Sequence, residues 1–384
     1  MLAVSKPDTF TKLQLLSHDS QYDLACACGT DKSGHRNRGS NGRWIYPVAL
    51  PNGGSTVLFK TLISNVCSSD CKYCPLKQNA DVPRCTLNCS ELVRSFMDYY
   101  NRGEVFGLFL SSGVIGSADA AMEKLIAPAE VLRKKYGFRG YIHLKVLPGS
   151  SPAAIEKAVS VADAVSLNIE TPGKEFLEKL SSKKDFLRDI VEPIKLISRL
   201  TAASRRKVKQ TTQFIVGAAG ETDRHIVDYT AALYERVGLS RAYFSAYQRS
   251  NSDELNESTN PPQSFMREHR LYQVDFLLRK YGFNQSDILY DSSGRLSLET
   301  DPKEAWAKNH PEFFPVTVNT ATRYRLLRVP GLGPKAVKTI LEKRKLAKIS
   351  SIDDIDKVTA RLLKAVKYLD FGGSAKNKGY LFNF

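Results

Sequence analysis

Three things are scarce in this sequence: long apolar runs, cysteines and, near the C-terminus, acidic residues. None of the 384 residues belongs to an uninterrupted apolar run of the roughly 18 residues that a membrane span needs. The opening stretch MLAVSKPDTFTKLQ lacks the apolar core of a secretory signal. The seven cysteines are odd in number, which argues against a secreted disulfide framework. We therefore expect a cytoplasmic protein without a membrane partner, whose thiols stay reduced and available to metals.

Acidic residues are scarce where basic residues are dense. Residues 320–384 hold 15 Lys and Arg against 5 Asp and Glu, so they carry +10 of the net charge of +16. A concentrated positive surface is typical of proteins that bind polyanions, because contact with phosphates releases condensed counterions. A solvated basic tail that only aids solubility would have the same composition.

Short apolar runs alternate with amphipathic helical patterns through most of the chain. The predicted strands are residues 57–64, 105–112, 140–147, 162–169, 209–216 and 240–247. Six β–α units in series predict parallel strands joined by right-handed crossovers, either as a partial (β/α)6 barrel or as a doubly wound sheet. We expect an N-terminal extension (1–50), an α/β core (51–283), a connector with little regular structure (284–315) and a small all-α domain (316–384).

The segment TLISNVCSSDCKYCPL contains three cysteines in one loop directly after the first predicted strand. Cys67, Cys71 and Cys74 follow a C-x3-C-x2-C spacing. A closed zinc site needs four ligands and a disulfide needs two, so three thiols leave one coordination position open. A zinc knuckle or a chance cluster of reduced cysteines remains the alternative. Sites at the carboxyl ends of parallel strands are where such folds carry their chemistry.

This cysteine loop, with Tyr73 before its last cysteine, resembles the signature of the radical S-adenosylmethionine (radical SAM) enzymes. The resemblance implies that the three cysteines hold three irons of a 4Fe–4S cluster. It further implies that S-adenosylmethionine chelates the fourth iron and is cleaved to a 5′-deoxyadenosyl radical by an electron from the cluster. The fold that the family implies is a partial TIM-like barrel.

Three further strand ends resemble the S-adenosylmethionine-binding elements of that family. LFLSSGVIG resembles the turn at the methionyl amino group, although Gly113 and Val114 stand where an acidic residue is usual. SLNIETP resembles the segment at the ribose and carboxylate, FIVGAAGET resembles the element that flanks the adenine, and Lys145 could reach the methionyl carboxylate. The residues implied to bind the cosubstrate are Tyr73, Ser111, Ser112, Gly113, Lys145, Ser166, Asn168, Glu170 and Val216.

The remaining cysteines have no such pattern. Cys26 and Cys28, together with Cys85 and Cys89, would supply four ligands for an auxiliary cluster, but each can equally be a small buried residue. Tyr243 and Tyr247 at the end of the sixth strand could be hydrogen donors, although aromatic residues there more often pack the barrel.

The stretch VPGLGPKAV between two helical patterns resembles a helix-hairpin-helix. Gly331 and Gly333, which we expect to hold backbone angles that a side chain disfavours, would allow a tight hairpin whose amides meet a DNA phosphate, and Lys335 would add positive charge. A hairpin used only for packing is the alternative. DNA glycosylases also contain the motif, followed by a catalytic aspartate at the spacing of Asp353. We interpret ISSIDDIDKV instead as the capped start of another helix.

Over nearly its full length the sequence resembles the radical SAM family described as DNA modification or repair proteins and linked to uracil-DNA-glycosylase-like proteins. The resemblance implies DNA or another nucleic acid as partner, an electron donor for the cluster, and a connection to a glycosylase-like protein. An iron–sulfur protein that binds DNA or senses redox state without turnover is the alternative function.

Overall fold

The computed structural model of the protein describes residues 7–23, 44–49, 54–249, 255 and 261–372. The chain divides into two compact units, Met1–Tyr272 and Gln273–Phe384. This division falls inside a long helix, so it does not coincide with either boundary expected from the sequence. The domain limits at 283 and 315 therefore stay predictions.

The larger unit is built on a seven-stranded sheet. Its strands are β1 (Ile45–Ala49), β2 (Ser55–Leu62), β3 (Gly107–Ser111), β4 (Tyr141–Lys145), β5 (Ala164–Ser166), β6 (Lys209–Val216) and β7 (Arg241–Ala246). β2 to β7 are the six predicted strands, and each is parallel to the next. β1 was not predicted. It pairs antiparallel with β2 at the edge of the sheet. Pro47 is tolerated there because proline cannot donate a backbone hydrogen bond and an edge strand pairs on one side only.

The strand order decides between the two predicted architectures. Strands lie in the sheet in the order in which they occur in the chain. Right-handed crossovers that always step in the same direction place every helix on one face, so the other face must curl around its own side chains. A doubly wound sheet would reverse direction. The fold is therefore the partial, TIM-like α/β barrel that the sequence predicted, with strand ends meeting at one rim.

Helices follow the strands as expected, with additions. The helices of the larger unit are α1 (Thr9–Asp19), α2 (Cys89–Asn101), α3 (Ala118–Lys134), α4 (Pro152–Val161), α5 (Lys174–Leu180), α6 (Glu192–Ala203) and α7 (Asp223–Val237), and α8 (Pro261–Lys280) continues into the second unit. Side chains of Asn88, Ser117, Ser151 and Thr222 cap α2, α3, α4 and α7. α1 and α5 were not predicted; α5, with seven residues, is too short for a periodic apolar pattern.

The second unit is mainly helical, as predicted, but its details differ from the expectation. It contains α9 (Pro302–Asn309), α10 (Arg323–Arg328), α11 (Pro334–Lys343) and α12 (Ala360–Leu363), plus a two-residue parallel pair of β8 (Val316–Thr317) with β9 (Leu369–Asp370). Little regular structure was expected between residues 284 and 315. This expectation is wrong for residues 302–309, which form α9 with Asp301 as its cap. The helix expected at ISSIDDIDKV is also wrong: Asp354 there bonds to the amides of Ser350 and Ser351 and holds a turn.

Arg328 is the centre of the second unit's core. Its guanidinium makes two hydrogen bonds of 2.9 Å to the carboxylate of Asp287. It also stacks 3.9 Å from the ring centre of Phe283 and 4.6 Å from that of Trp306. A buried arginine with these partners fixes α10 against residues 282–306.

In the part of the chain that the structure describes, no helix is long and apolar enough to cross a membrane.

Candidate active site

The cysteine loop leaves β2 and lies against the turn after β3. The amide of Gly113 donates to the carbonyl of Ser64 at 2.8 Å, and the amide of Ser68 donates to the carbonyl of Val114 at 2.9 Å. A Cβ at position 113 would overlap the carbonyl oxygen of Val66. Only glycine therefore permits this close approach of the two backbones. This is a structural reason for Gly113 that is independent of cosubstrate binding.

Arg84 holds the far side of the loop. Its guanidinium donates to four backbone carbonyls, those of Asn65, Leu76, Lys77 and Ala80. Irregular loops lack the hydrogen bonds of regular structure, and buried carbonyls without donors are costly. Arg84 supplies those donors and so fixes the path of the chain on both sides of the cysteines. The sequence motifs gave no indication of this role.

The three thiols lie together beneath the loop. Cys71 is buried, and Cys67 and Cys74 are partly buried. The amide of Ser69 points at the sulfur of Cys67 and the amide of Leu76 at the sulfur of Cys74, each at 3.4 Å. Burial raises the pKa of the Cys71 and Cys74 thiols, and nearby negative charge, from Glu170 at Cys71 and from the Cys71 thiolate at Cys74, raises it further. Without a metal such thiols would stay protonated, whereas iron coordination deprotonates them.

A cavity opens from the cysteine loop into the upper part of the barrel. Its volume is about 180 Å³, far above the roughly 10–15 Å³ that one water molecule requires. Ten of the predicted cofactor-binding residues line it, namely Cys67, Cys71, Cys74, Tyr73, Ser111, Ser112, Gly113, Lys145, Asn168 and Glu170. The ends of β2, β3, β4 and β5 thus bring together residues separated by up to about a hundred positions in the chain.

Two predicted residues do not line the cavity. Ser166 lies one layer lower in the barrel, where its hydroxyl bonds to Nε2 of His143 at 2.9 Å. Burial lowers the pKa of His143 to about 3, so this histidine is neutral. Val216 is buried in the wall, and the turn after it is held by Glu221, whose carboxylate accepts from the amide of Gly217 at 2.5 Å.

Lys145 is already paired within the protein. Its ammonium lies 2.9 Å from a carboxylate oxygen of Asp23 and 2.5 Å from Oδ1 of Asn168. Burial would raise the pKa of Asp23, but Lys145 and the hydroxyl of Ser111 outweigh it and lower that pKa. Asp23, from the segment after α1, was not among the predicted site residues because nothing in its local sequence marks it.

Glu170 and Lys184 form a second charged group beside the thiols. Glu170 has a positive φ of 65°, which is unusual for a residue with a side chain and turns it toward the cavity. Its Oε1 lies 3.7 Å from the ammonium of Lys184, while its Oε2 is buried without a hydrogen-bond partner. Glu170 also faces Tyr73, whose pKa is raised well above the usual value by burial and by this carboxylate. Lys184 lies in no motif, so sequence reasoning missed it.

Several buried polar atoms at the cavity have no hydrogen-bond partner and could bond to a cosubstrate. Besides Oε2 of Glu170, the hydroxyl of Tyr247 and Nε2 of Gln248 are buried there without partners. Buried polar atoms normally find partners, so these three atoms fit a polar ligand such as S-adenosylmethionine. No three His, Cys, Asp or Glu side chains among the described residues converge closely enough to hold a single ion.

The two other cysteines that the structure describes do not join the three thiols at this cavity. Cys85 and Cys89 are partly buried near α1 and the start of α2, and neither lines the cavity. Burial raises the pKa of Cys85 to about 11, which keeps it a thiol. Cys26 and Cys28 lie outside the described residues, so an auxiliary cluster stays a prediction. Tyr243 does not line the cavity, whereas Tyr247 does.

Residues 61–233, from the end of β2 into α7, match the family described as the radical SAM superfamily. This segment contains all three cysteines and every strand end described above except that of β7. Residues 61–233 are a radical SAM domain. Domains of this superfamily use a 4Fe–4S cluster and S-adenosylmethionine.

Similar solved structures include several radical SAM proteins. The maturase of the FeFe-hydrogenase from Carboxydothermus hydrogenoformans has 14% identity and a TM-score of 0.45, covering 55% of this chain and 50% of that one. Methylornithine synthase has 13% identity and a TM-score of 0.44, covering 57% and 63%. Streptococcus suis SuiB bound to S-adenosylmethionine has 13% identity and a TM-score of 0.44, covering 58% and 47%. The chain thus spans about half to two thirds of these relatives, and no curated protein matches it significantly.

The predicted hairpin of the second unit connects α10 to α11. Gly331 has a φ of +88°, and a Cβ there would lie 2.5 Å from the carbonyl oxygen of Arg361. Gly333 precedes the first turn of α11 with a φ of −105°, an ordinary extended value. The buried ammonium of Lys303 donates to the carbonyl of Leu332 at 2.6 Å and so supports the turn from inside. The predicted contact Lys335 is exposed at the start of α11.

Proposed function

We propose that this radical SAM enzyme modifies or repairs nucleic acid, in the first place DNA, and that its second unit binds the nucleic acid. The observation that carries the proposal is the positive charge on and after α11. Between residues 334 and 348 the exposed cations are Lys335, Lys338, Lys343, Lys345 and Lys348, against one exposed acid, Glu342; the exposed Asp353, Asp354 and Asp356 follow. A turn with free amides at a helix start, flanked by such charges, favours phosphate contacts that do not read sequence. The resemblance of the sequence to the family described as DNA modification or repair proteins supports the same proposal.

The residues of the larger unit divide the work around the cofactors. The cluster would be held by Cys67, Cys71 and Cys74. The amides of Ser69 and Leu76 point at the sulfurs of Cys67 and Cys74 and would stabilise the negative charge on them. Bound together, cluster and S-adenosylmethionine supply a 5′-deoxyadenosyl radical that abstracts a hydrogen atom from an unactivated carbon. Asn168 and Glu170 offer the cosubstrate hydrogen-bonding groups, and the apolar barrel layers around them exclude water.

Two partners are part of this proposal. The first is an external one-electron donor for the cluster, which the family resemblance implies. The link to a uracil-DNA-glycosylase-like protein rests on the family resemblance, and co-purification of the two proteins would support it.

Turnover in the presence of nucleic acid tests the proposal. Full-length protein, reconstituted anaerobically with iron and sulfide, would receive dithionite, S-adenosylmethionine and either single-stranded DNA, duplex DNA, RNA, heparin or no addition. We expect 5′-deoxyadenosine in every arm, formed fastest with DNA. Cys71→Ala should abolish the product because it removes one of three anchors, whereas Cys89→Ala should retain it.

The outcomes separate the two candidate functions. No 5′-deoxyadenosine in any arm would favour an iron–sulfur protein without turnover. Equal rates with DNA, heparin and no addition would leave the enzyme intact and remove nucleic acid as its substrate.

A further inference from the structure

Lys184 is a buried cation at the wall of the cavity. Its side chain is only 10% exposed, and its ammonium lies 3.7 Å from Oε1 of Glu170 and 5.9 Å from the ring centre of Tyr73. It lines the same cavity as the thiols of Cys71 and Cys74. One positive charge therefore lies beside sulfur atoms that would bind iron.

The segment before Lys184 is fastened to the cysteine loop. The carboxylate of Asp70 accepts from both the amide, at 2.9 Å, and the hydroxyl, at 2.6 Å, of Ser182, and also from the hydroxyl of Ser181. These bonds outweigh the effect of burial and lower the pKa of Asp70 to about 2. The ammonium of Lys183 donates to the carbonyl of Ser68 at 2.7 Å. Because the two segments are joined at several points, Lys184 keeps its place beside Cys71.

We propose that Lys184 is a positioning residue that raises the reduction potential of the cluster. Reduction adds one electron from an external donor to the cluster and makes the site more negative by one charge. A fixed cation stabilises the more negative state more strongly, and this effect is largest where water is excluded. Lys184 would thus make the cluster easier to reduce. Glu170 holds the ammonium in place and partly offsets its charge. The inference does not depend on nucleic acid being the substrate.

The midpoint potential of the reconstituted full-length protein tests this proposal. It would be measured by dithionite titration with redox mediators, followed by electron paramagnetic resonance, without S-adenosylmethionine. In Lys184→Met the equilibrium constant for reduction should fall at least tenfold, which for one electron is about 59 mV toward negative potential. Lys184→Arg keeps the charge and should stay close to the wild-type value. Lys174→Met is the matched control, because this lysine of α5 is 69% exposed and its charge is screened.

Other outcomes would contradict the proposal. An unchanged potential in Lys184→Met with full iron content would overturn it. So would a weakened affinity for S-adenosylmethionine at an unchanged potential, which would make Lys184 a cosubstrate ligand instead. If Lys184→Met does not take up iron, Glu170→Gln decides: it removes the opposing negative charge, and its potential must rise. A potential that stays the same there would equally reject the electrostatic role.

Discussion

Single side chains decide which part of the barrel is open to a ligand. Ser166 at the end of β5 and Asn168 just after it are two residues apart, yet only Asn168 lines the cavity. Ser166 ends β5 and pairs with a neutral His143, so it belongs to the packed layer below. Alternation along a strand gives the side of the sheet but not the depth at which the barrel stops being filled.

This difference between the two residues gives a prediction for cosubstrate affinity. Asn168→Ala and Glu170→Ala should each weaken S-adenosylmethionine binding by about 1–3 kcal/mol, the usual effect of losing a buried hydrogen-bonding partner. Isothermal titration calorimetry on the reconstituted protein measures this loss.

Ser166→Ala is the matched control on the same strand. Its affinity should equal that of the wild type, because the hydroxyl bonds only to His143 among the described contacts. If Ser166→Ala loses affinity while Asn168→Ala does not, the ribose site lies one layer deeper than the cavity suggests.

At the scale of elements, the hairpin between α10 and α11 shows that two glycines of one motif have different roles. Gly331 combines a left-handed backbone with a close approach to the chain at Arg361, whereas Gly333 has an ordinary φ and nothing closer than 3.4 Å to its would-be Cβ. The expectation that both glycines hold angles disfavoured by a side chain is therefore wrong for Gly333.

The two glycines should respond differently to the same substitution. Gly331→Ala should destabilise the second unit by roughly 1–3 kcal/mol, because alanine must adopt a left-handed conformation and displace the chain at Arg361. Gly333→Ala should leave the melting temperature of that unit nearly unchanged. Thermal melts of the two full-length variants, with DNA affinity measured in parallel, make the comparison. Equal destabilisation by both would mean that the turn differs from the one described.

At the scale of the whole molecule, the charge of the second unit predicts how DNA affinity depends on salt. Each phosphate contact contributes a slope of about −0.9 to log affinity against log salt concentration. Changing Lys335, Lys338 and Lys345 together to Gln should make the slope less steep by up to three such contributions. Fluorescence anisotropy with labelled duplex at several salt concentrations measures it.

A control with the same change in net charge isolates the surface. Lys124, Lys174 and Lys195 are exposed lysines of the larger unit, and changing all three to Gln should alter the slope little. Similar slopes for both triple variants would place the nucleic acid elsewhere or show that only net charge matters.

The sequence by itself determined the six parallel strands, most of their helices and the three-thiol loop. These features are local, since apolar periodicity, capping residues and cysteine spacing are all written within a few residues. That the sheet curls into a partial barrel follows from the order of its strands. No single segment of the sequence specifies that order. Tertiary structure alone decided that Asp23 pairs with Lys145, that Arg84 supports the loop and that Lys184 lies beside Cys71 at the cavity. Each of these side chains acts across a distance in sequence, on an irregular segment, where neither periodicity nor a motif records its partner.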